Sequence, residues 1–200
     1  MTIVFDLGGV VFSWNPEKVL KELYGRDGGK YKAIVDGFLH HHDWLELDKG
    51  VLGTQEAYLR ASIRTGLRTY EIESTLLKLI DSLTLNDESV ELLQEIHEND
   101  IHALFCLSNM PHITIEHLER KYNIWEMFDE RLISCRIGMI KPDLQIYKYM
   151  IDSYTLSPKD TVFIDDTQKN IDSAKKLGIN TILFIDPIQC RRDLEKIGCL

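Results

Sequence analysis

The chain has 200 residues, 44% of them hydrophobic, and a formal net charge of −9 at pH 7. That apolar content builds one globular core with room for an insertion, and it excludes wholesale disorder. The acidic balance argues against binding nucleic-acid backbones or anionic membrane surfaces, although one local cation or metal can still hold an anionic small molecule.

No apolar run approaches the ~18 residues that a membrane span needs. The N-terminus lacks a basic segment followed by a removable apolar stretch. The expected location is therefore the cytoplasm. Four cysteines, Cys106, Cys135, Cys190 and Cys199, show no C-x-x-C spacing and read as reduced thiols, with Cys106 in a core strand.

Residues 2–7 read as a buried strand whose apolar run is broken by Asp6, with Gly8-Gly9 giving backbone freedom just beyond it. "VVFSW", 10–14, reads as a second short extended piece. Asn15-Pro16 then predicts a helix start, with Asn15 as cap and Pro16 in the first turn. From Pro16 to about Thr84 helical spacing dominates, interrupted by a "GRDGG" loop at 25–29. Helix starts are expected at Gly53-Thr54 and at Thr69. Beyond Thr84 the pattern alternates. "DESVELLQEIHEND", "ITIEHLERKY", "DLQIYKYMIDSY" and "QKNIDSAKKLG" read as helices, the third with Ile146, Tyr149 and Met150 on one face. "IHALFCLS", "RLISC", "TVFIDD" and "NTILFI" read as strands. Strand–helix alternation predicts an α/β fold, a doubly wound, Rossmann-like parallel sheet, here interrupted after its first strand by a helical insertion. The expected domains are a core of residues 1–15 and 85–200 and a helical cap of residues 16–84.

In such sheets ligands sit beyond the carboxyl ends of the strands. Those ends carry Asp6, Ser108-Asn109 and Asp165-Asp166, and "GMIKPD" brings Lys141 to the start of a helix. Carboxylates hold a hard divalent cation through oxygen, and Mg²⁺ suits one or two of them together with phosphate oxygens. A serine hydroxyl, backbone N–H groups and a lysine hold phosphate oxygens, and a carboxylate can attack phosphorus. Taken singly, each residue also has a structural reading: Asp6 or Ser108-Asn109 in an ordinary turn, Lys141 in solvent, Asp166 capping a helix.

"VFDLGGV", "LSN", "KP" and "FIDDTQKNIDSAKKLG", in this order, resemble the four motifs of the haloacid dehalogenase superfamily, and the insertion resembles its helical type-one cap. The "FDLGGVV" form is most similar to the bacterial α-glucose-1-phosphate phosphatase subgroup. The resemblance implies that Asp6 is the nucleophile and a Mg²⁺ ligand, and that Gly8 offers a backbone carbonyl to the metal beside the substrate. It implies that Ser108 and Asn109 bind phosphate, that Lys141 bridges nucleophile and phosphate, and that Asp165 and Asp166 form the acidic pair on the metal.

One departure stands out. Most phosphatases of the superfamily carry a second Asp, the general acid–base, where this chain has Gly8; such help is worth ~10²–10⁴ in rate. The expected activity is a Mg²⁺-dependent phosphatase acting on a small phosphorylated metabolite, with a sugar phosphate such as a sugar 1-phosphate favoured. The alternative is a catalytically weak module that binds a ligand or a protein. A monomer or weak homodimer is expected. The cap should set specificity, and its unusual stretch is "FLHHHDWLELDKG". Adjacent histidines diverge, so His40, His41 and His42 do not make one metal site. His42, Asp43, Trp44 and Asp48 are the candidate specificity residues, with His or Asp43 as a surrogate acid.

Overall fold

The computed structural model describes residues 1–25 and 27–200. Arg26, within the expected 25–29 loop, lies outside them. Strands β1 (Thr2–Phe5), β2 (Phe12–Ser13) and β3 (Thr84–Leu85) bracket the helices α1 (Pro16–Tyr24), α2 (Gly28–Ile34), α3 (His42–Asp48), α4 (Thr54–Thr65) and α5 (Thr69–Asp81). There follow α6 (Asp87–Asn99), β4 (Ala103–Ser108), α7 (His112–Lys121), β5 (Glu130–Ile133), α8 (Ser134–Ile137), α9 (Leu144–Ser153), β6 (Thr161–Asp165), α10 (Gln168–Lys175), β7 (Asn180–Leu183) and α11 (Pro187–Lys196).

Five strands form one parallel sheet in the order β5-β4-β1-β6-β7. The chain runs outward from β1 through β4 to β5, then returns to the other side of β1 to place β6 and β7. The order therefore switches direction at β1, where such sheets open a crevice. Side chains alternate across the sheet. Ile3, Phe5, Leu104, Cys106, Val162 and Ile164 pack into one layer with Leu93 and Ile115. Val4, Phe105, Leu107 and Phe163 pack into the other with Ile146, Tyr147 and Ile171. Covered on both faces, these strands read as unbroken apolar runs.

The helical insertion has its own apolar clusters, one including Phe38, Leu47, Tyr58, Ile72 and Leu76, the other Leu20, Ile34, Leu39 and Leu79. Asn15 caps α1 as expected, its side-chain oxygen accepting from the Lys18 N–H at 3.0 Å. Where the chain leaves the sheet layer and where it returns, β2 and β3 pair antiparallel, Phe12 opposite Leu85.

Three local expectations are corrected. Helix α2 already starts at Gly28, because the Asp27 side chain accepts from the Lys30 N–H and caps it. The "RLISC" strand ends at Ile133, and Ser134-Cys135 open a helical turn. The buried face of α9 carries Tyr147, not Tyr149, which is 38% exposed. An i, i+1, i+4 stripe (Ile146, Tyr147, Met150) faces the sheet instead of the i, i+3, i+4 stripe expected.

Candidate active site

Register brings the strand ends together. Phe5 lies opposite Cys106 on one side and Ile164 on the other, so Asp6, just past β1, sits level with Leu107 and Asp165. The Asp6 N–H donates to the Ile164 carbonyl at 2.9 Å. Its carboxylate is buried; Oδ1 accepts from the Leu7 N–H at 2.7 Å and pairs with Lys141 Nζ at 2.8 Å. Oδ2 has no protein donor among the described residues.

Lys141 lies 2% exposed, and its ammonium also reaches Asp165 Oδ2 at 2.7 Å. Asn109 fixes it in place. Its side-chain amide donates to the Lys141 carbonyl and its side-chain oxygen accepts from the Lys141 N–H, both at 2.8 Å. The Asn109 side chain is thus spent on the lysine loop, which leaves its main-chain N–H for an anion. Asp165, fully buried, is saturated. Oδ1 accepts from the Thr167 N–H at 2.8 Å, and both oxygens accept from the Asn170 amide at 2.9 and 3.0 Å. Asp166 stays more open, with Oδ1 near the Thr167 hydroxyl at 3.2 Å. Its carboxylate packs so closely on Gly9, which has φ +82°, that a methyl group there would overlap it. Here glycine is required both by conformation and by space.

Burial pushes Asp6 up to about 7, with Asp165 and Asp166 acting in the same direction and Lys141 opposing. Burial also raises Asp166, again with Asp165 beside it. Burial works against the charge of Lys141, but Asp6 and Asp165 outweigh it and hold the group above its ordinary range. Oxygens of Asp6, Asp165 and Asp166 lie within 4.8 Å of one another. Three carboxylates against one ammonium leave two formal negative charges at one point. An all-oxygen set with that charge fits a hard divalent cation such as Mg²⁺.

Asp6, Gly8, Ser108, Asn109, Lys141 and Asp166 line a single cavity of about 230 Å³, with Trp44 and Asp48 on its cap side. Buried Ser108 ends β4 there. His42 and Asp43 do not line it. His42 is exposed, and Asp43 is buried in a pair with Arg64 at 2.8 Å, with Arg60 at 3.7 Å. That pairing accounts for Asp43 structurally and leaves it off the cavity. Trp44 stacks on Trp14 at 6.4 Å and meets Phe38 edge-on at 5.4 Å. Asp48 is 7% exposed, and burial pushes it up to about 8, against the pull of Lys141.

Several lining residues carry no distinct signal in the sequence. Trp14, Leu76, Ile80, Leu83 and Met110 form an apolar wall. They come from separate segments, and their spacing looks like ordinary core. Asn170 stands five positions after Asp165 in "FIDDTQKNIDSAKKLG", and that spacing is its only signal.

The model for the family described as "Hydrolase: haloacid dehalogenase-like hydrolase" matches residues 1–178. Sesquiterpene phosphatase astK of Aspergillus oryzae is 26% identical over 98% of this chain and 96% of its own length. D-ribitol-5-phosphate phosphatase of Bacteroides thetaiotaomicron is 24% identical over 98% of this chain and 97% of its own. Drimenol cyclase drtB of Aspergillus calidoustus is 28% identical over 98% of this chain, which spans only 36% of that protein. Among solved structures, a haloacid dehalogenase family enzyme of B. thetaiotaomicron, in complex with magnesium and inorganic phosphate, has the same fold. It shows a TM-score of 0.73 and 22% identity, over 90% of this chain and 92% of that one.

Proposed function

The chain belongs to the haloacid dehalogenase-like hydrolases, and on that premise we propose that it is a Mg²⁺-dependent phosphomonoesterase forming a phosphoaspartate on Asp6. The observation that carries the reading is the Asp6 carboxylate: Oδ1 is fixed by Lys141 and the Leu7 N–H, and Oδ2 has no protein partner at the cavity among the described residues. A carboxylate so held is oriented for in-line attack on phosphorus.

The chain's own groups have separable roles. Lys141 neutralises Asp6 and the incoming phosphoryl oxygens from one buried position. The Ser108 hydroxyl and the Asn109 N–H hold those oxygens. Asp165 does not face substrate; saturated by Lys141, Thr167 and Asn170, it holds the lysine upright. Asp6 and Asp166, with the Gly8 carbonyl, would hold Mg²⁺, Asp165 lending charge from behind. When bound, Mg²⁺ supplies electrostatic stabilisation of phosphoryl charge. The magnesium and phosphate in the B. thetaiotaomicron enzyme support this assignment.

Residues 1–15 and 85–200 act as the catalytic core, with residues 16–84 as a cap that roofs the site. Four unpaired, buried cysteines support a cytoplasmic location. Among the described residues, no helix is long and apolar enough to cross a membrane.

For the substrate, the apolar wall of the cavity supports one reading. Trp14, Trp44, Leu76, Ile80, Leu83 and Met110 offer apolar area and almost no donors for sugar hydroxyls. That favours a small phosphate ester with an apolar body, and the similarity to a sesquiterpene phosphatase points the same way. The sugar phosphate expected from the sequence is the second reading. It is supported by the Trp faces, which can stack on a sugar ring, and by the similarity to a ribitol-5-phosphate phosphatase.

The test is phosphate release from a panel of apolar and sugar phosphates with Mg²⁺, repeated in EDTA and with Asp6→Asn. Release that needs both Mg²⁺ and Asp6 is expected. No release from any ester would make the protein a ligand-binding module.

A further inference from the structure

Cleaving the P–O bond of an alkyl phosphate leaves an alkoxide that must be protonated, and Gly8 has no proton to give. Few of the groups lining the cavity do. Asp6 is the attacking group, and Lys141 is held between two carboxylates. Asp166 belongs to the cation set, and the Thr114 and Thr167 hydroxyls hold their protons too tightly. Asp48 remains. It lines the cavity from α3, is buried, and no hydrogen bond or ion pair reaches its carboxylate among the described residues.

Its position suits the chemistry. Displacement at phosphorus is in line, so the departing oxygen lies on the side away from Asp6. The sheet edge occupies one side of the cavity and the cap the other. Asp48 is also anchored to the core. The Ser134 hydroxyl donates to its carbonyl, and the Met110 N–H donates to that hydroxyl at 2.8 Å. Two residues on, Gly50 (φ +71°) lies against the Cys135 carbonyl so closely that a methyl group would overlap it. The end of α3 is thus clamped onto α8.

We propose that Asp48 is the general acid–base of this site, standing in from the cap for the carboxyl absent at Gly8. The proposal rests on the phosphatase reading above. As Asp6 bonds to phosphorus and the ester P–O bond breaks, the Asp48 proton goes to the departing oxygen. Water then bonds to phosphorus, the P–O(Asp6) bond breaks, and a water proton returns to Asp48. The net change is ester plus water to alcohol plus phosphate. A carboxyl at about 8 is protonated at neutral pH and poised for both steps. The charged groups around it are few. Lys141 faces it, and Cys135 feels its charge from α8. Lys49 turns to Asp143 at 3.6 Å, and on α4 Arg64 is taken by Asp43 at 2.8 Å and Arg60 by Glu56 at 2.9 Å.

The experiment compares wild type, Asp48→Asn and Asp48→Asn/Gly8→Asp on p-nitrophenyl phosphate and on a simple alkyl phosphate, with Mg²⁺, from pH 5 to 9. A Cβ at Gly8 would meet only Trp14, at 3.9 Å, so the added carboxyl has room. For Asp48→Asn the alkyl ester should lose ~10²–10⁴ in kcat, and the aryl ester, whose leaving group needs no proton, at least tenfold less. The alkaline fall of kcat on the alkyl ester should vanish, and Gly8→Asp should restore much of the loss. Equal losses on both esters, a change in KM alone, or a retained alkaline fall would overturn the proposal. Wild type that releases phosphate from neither ester would refute the phosphatase reading itself, and this proposal with it.

Discussion

Replacing Lys141 by Met keeps the length of the side chain and removes its charge. Lys141 Nζ contacts Asp6 at 2.8 Å and Asp165 at 2.7 Å, with the lysine side chain 1% and the Asp165 side chain 0% exposed. At an effective dielectric constant near 20, each contact is a gross attraction of about 6 kcal/mol. Desolvation offsets much of this, and removing one partner of a buried pair costs about 3–5 kcal/mol net, because the other charge stays buried and unmatched. For a chain of this size that corresponds to a fall in Tm of about 6–20 °C. Urea unfolding at pH 7 measures the loss directly. The double variant Lys141→Met/Asp165→Asn should recover more than about 1 kcal/mol of it, since the two side chains are in direct contact. A single-variant loss under about 1 kcal/mol, or strict additivity in the double, would refute the buried-bridge account of this site.

Gly9→Ala strains a left-handed backbone and presses a methyl group on the Asp166 carboxylate. The Mg²⁺ concentration for half-maximal activity should rise at least tenfold, and an unchanged value would remove Asp166 from the cation site. Asp48 is raised in the folded state to about 8, above its ordinary value of 3.8. Its burial is therefore without cost below the unfolded value and increasingly destabilising as pH climbs toward 8. Asp48→Asn should gain stability on wild type across that window, by at most about 1.4 kcal/mol per pH unit in urea unfolding; a pH-independent difference would contradict the buried, unpaired carboxyl. Trp44→Ala opens the apolar wall and loses two aromatic contacts. The kcat/KM preference for an apolar phosphate over a sugar phosphate should shrink about tenfold, or ~1.4 kcal/mol, and a preference that grows would favour the sugar reading.

The strand ends were legible because chemistry and pattern coincide there. A doubly covered parallel strand is an unbroken apolar run, so the acid that ends it is conspicuous, as Asp6 and Asp165 are. The different work of neighbouring acids was not legible. Asp165 and Asp166 are adjacent, yet one is buried under Lys141 and Asn170 and the other lies open beside Gly9, which only the turn after β6 decides. The cap was misleading in a specific way. The histidine run drew notice to His42 and Asp43, but Asp43 meets Arg64 from another helix, a pairing no local pattern shows. Asp48 reads from the sequence as a candidate specificity residue, but nothing local shows that it is buried. Its burial comes from the docking of the end of α3 on Ser134 and Cys135, more than eighty residues away in sequence. The tilt of α9 that buries Tyr147 instead of Tyr149 is likewise set by packing against Phe163, not by the helix itself.

The most direct measurement is acid-quench mass spectrometry of the enzyme turning over a phosphate ester with Mg²⁺. A phosphoryl group is expected on the peptide that contains Asp6, labile to hydroxylamine and absent from Asp6→Asn, which should also release no phosphate. Undiminished phosphate release by Asp6→Asn, or a phosphoryl group trapped on another residue, would contradict the phosphoaspartate reading.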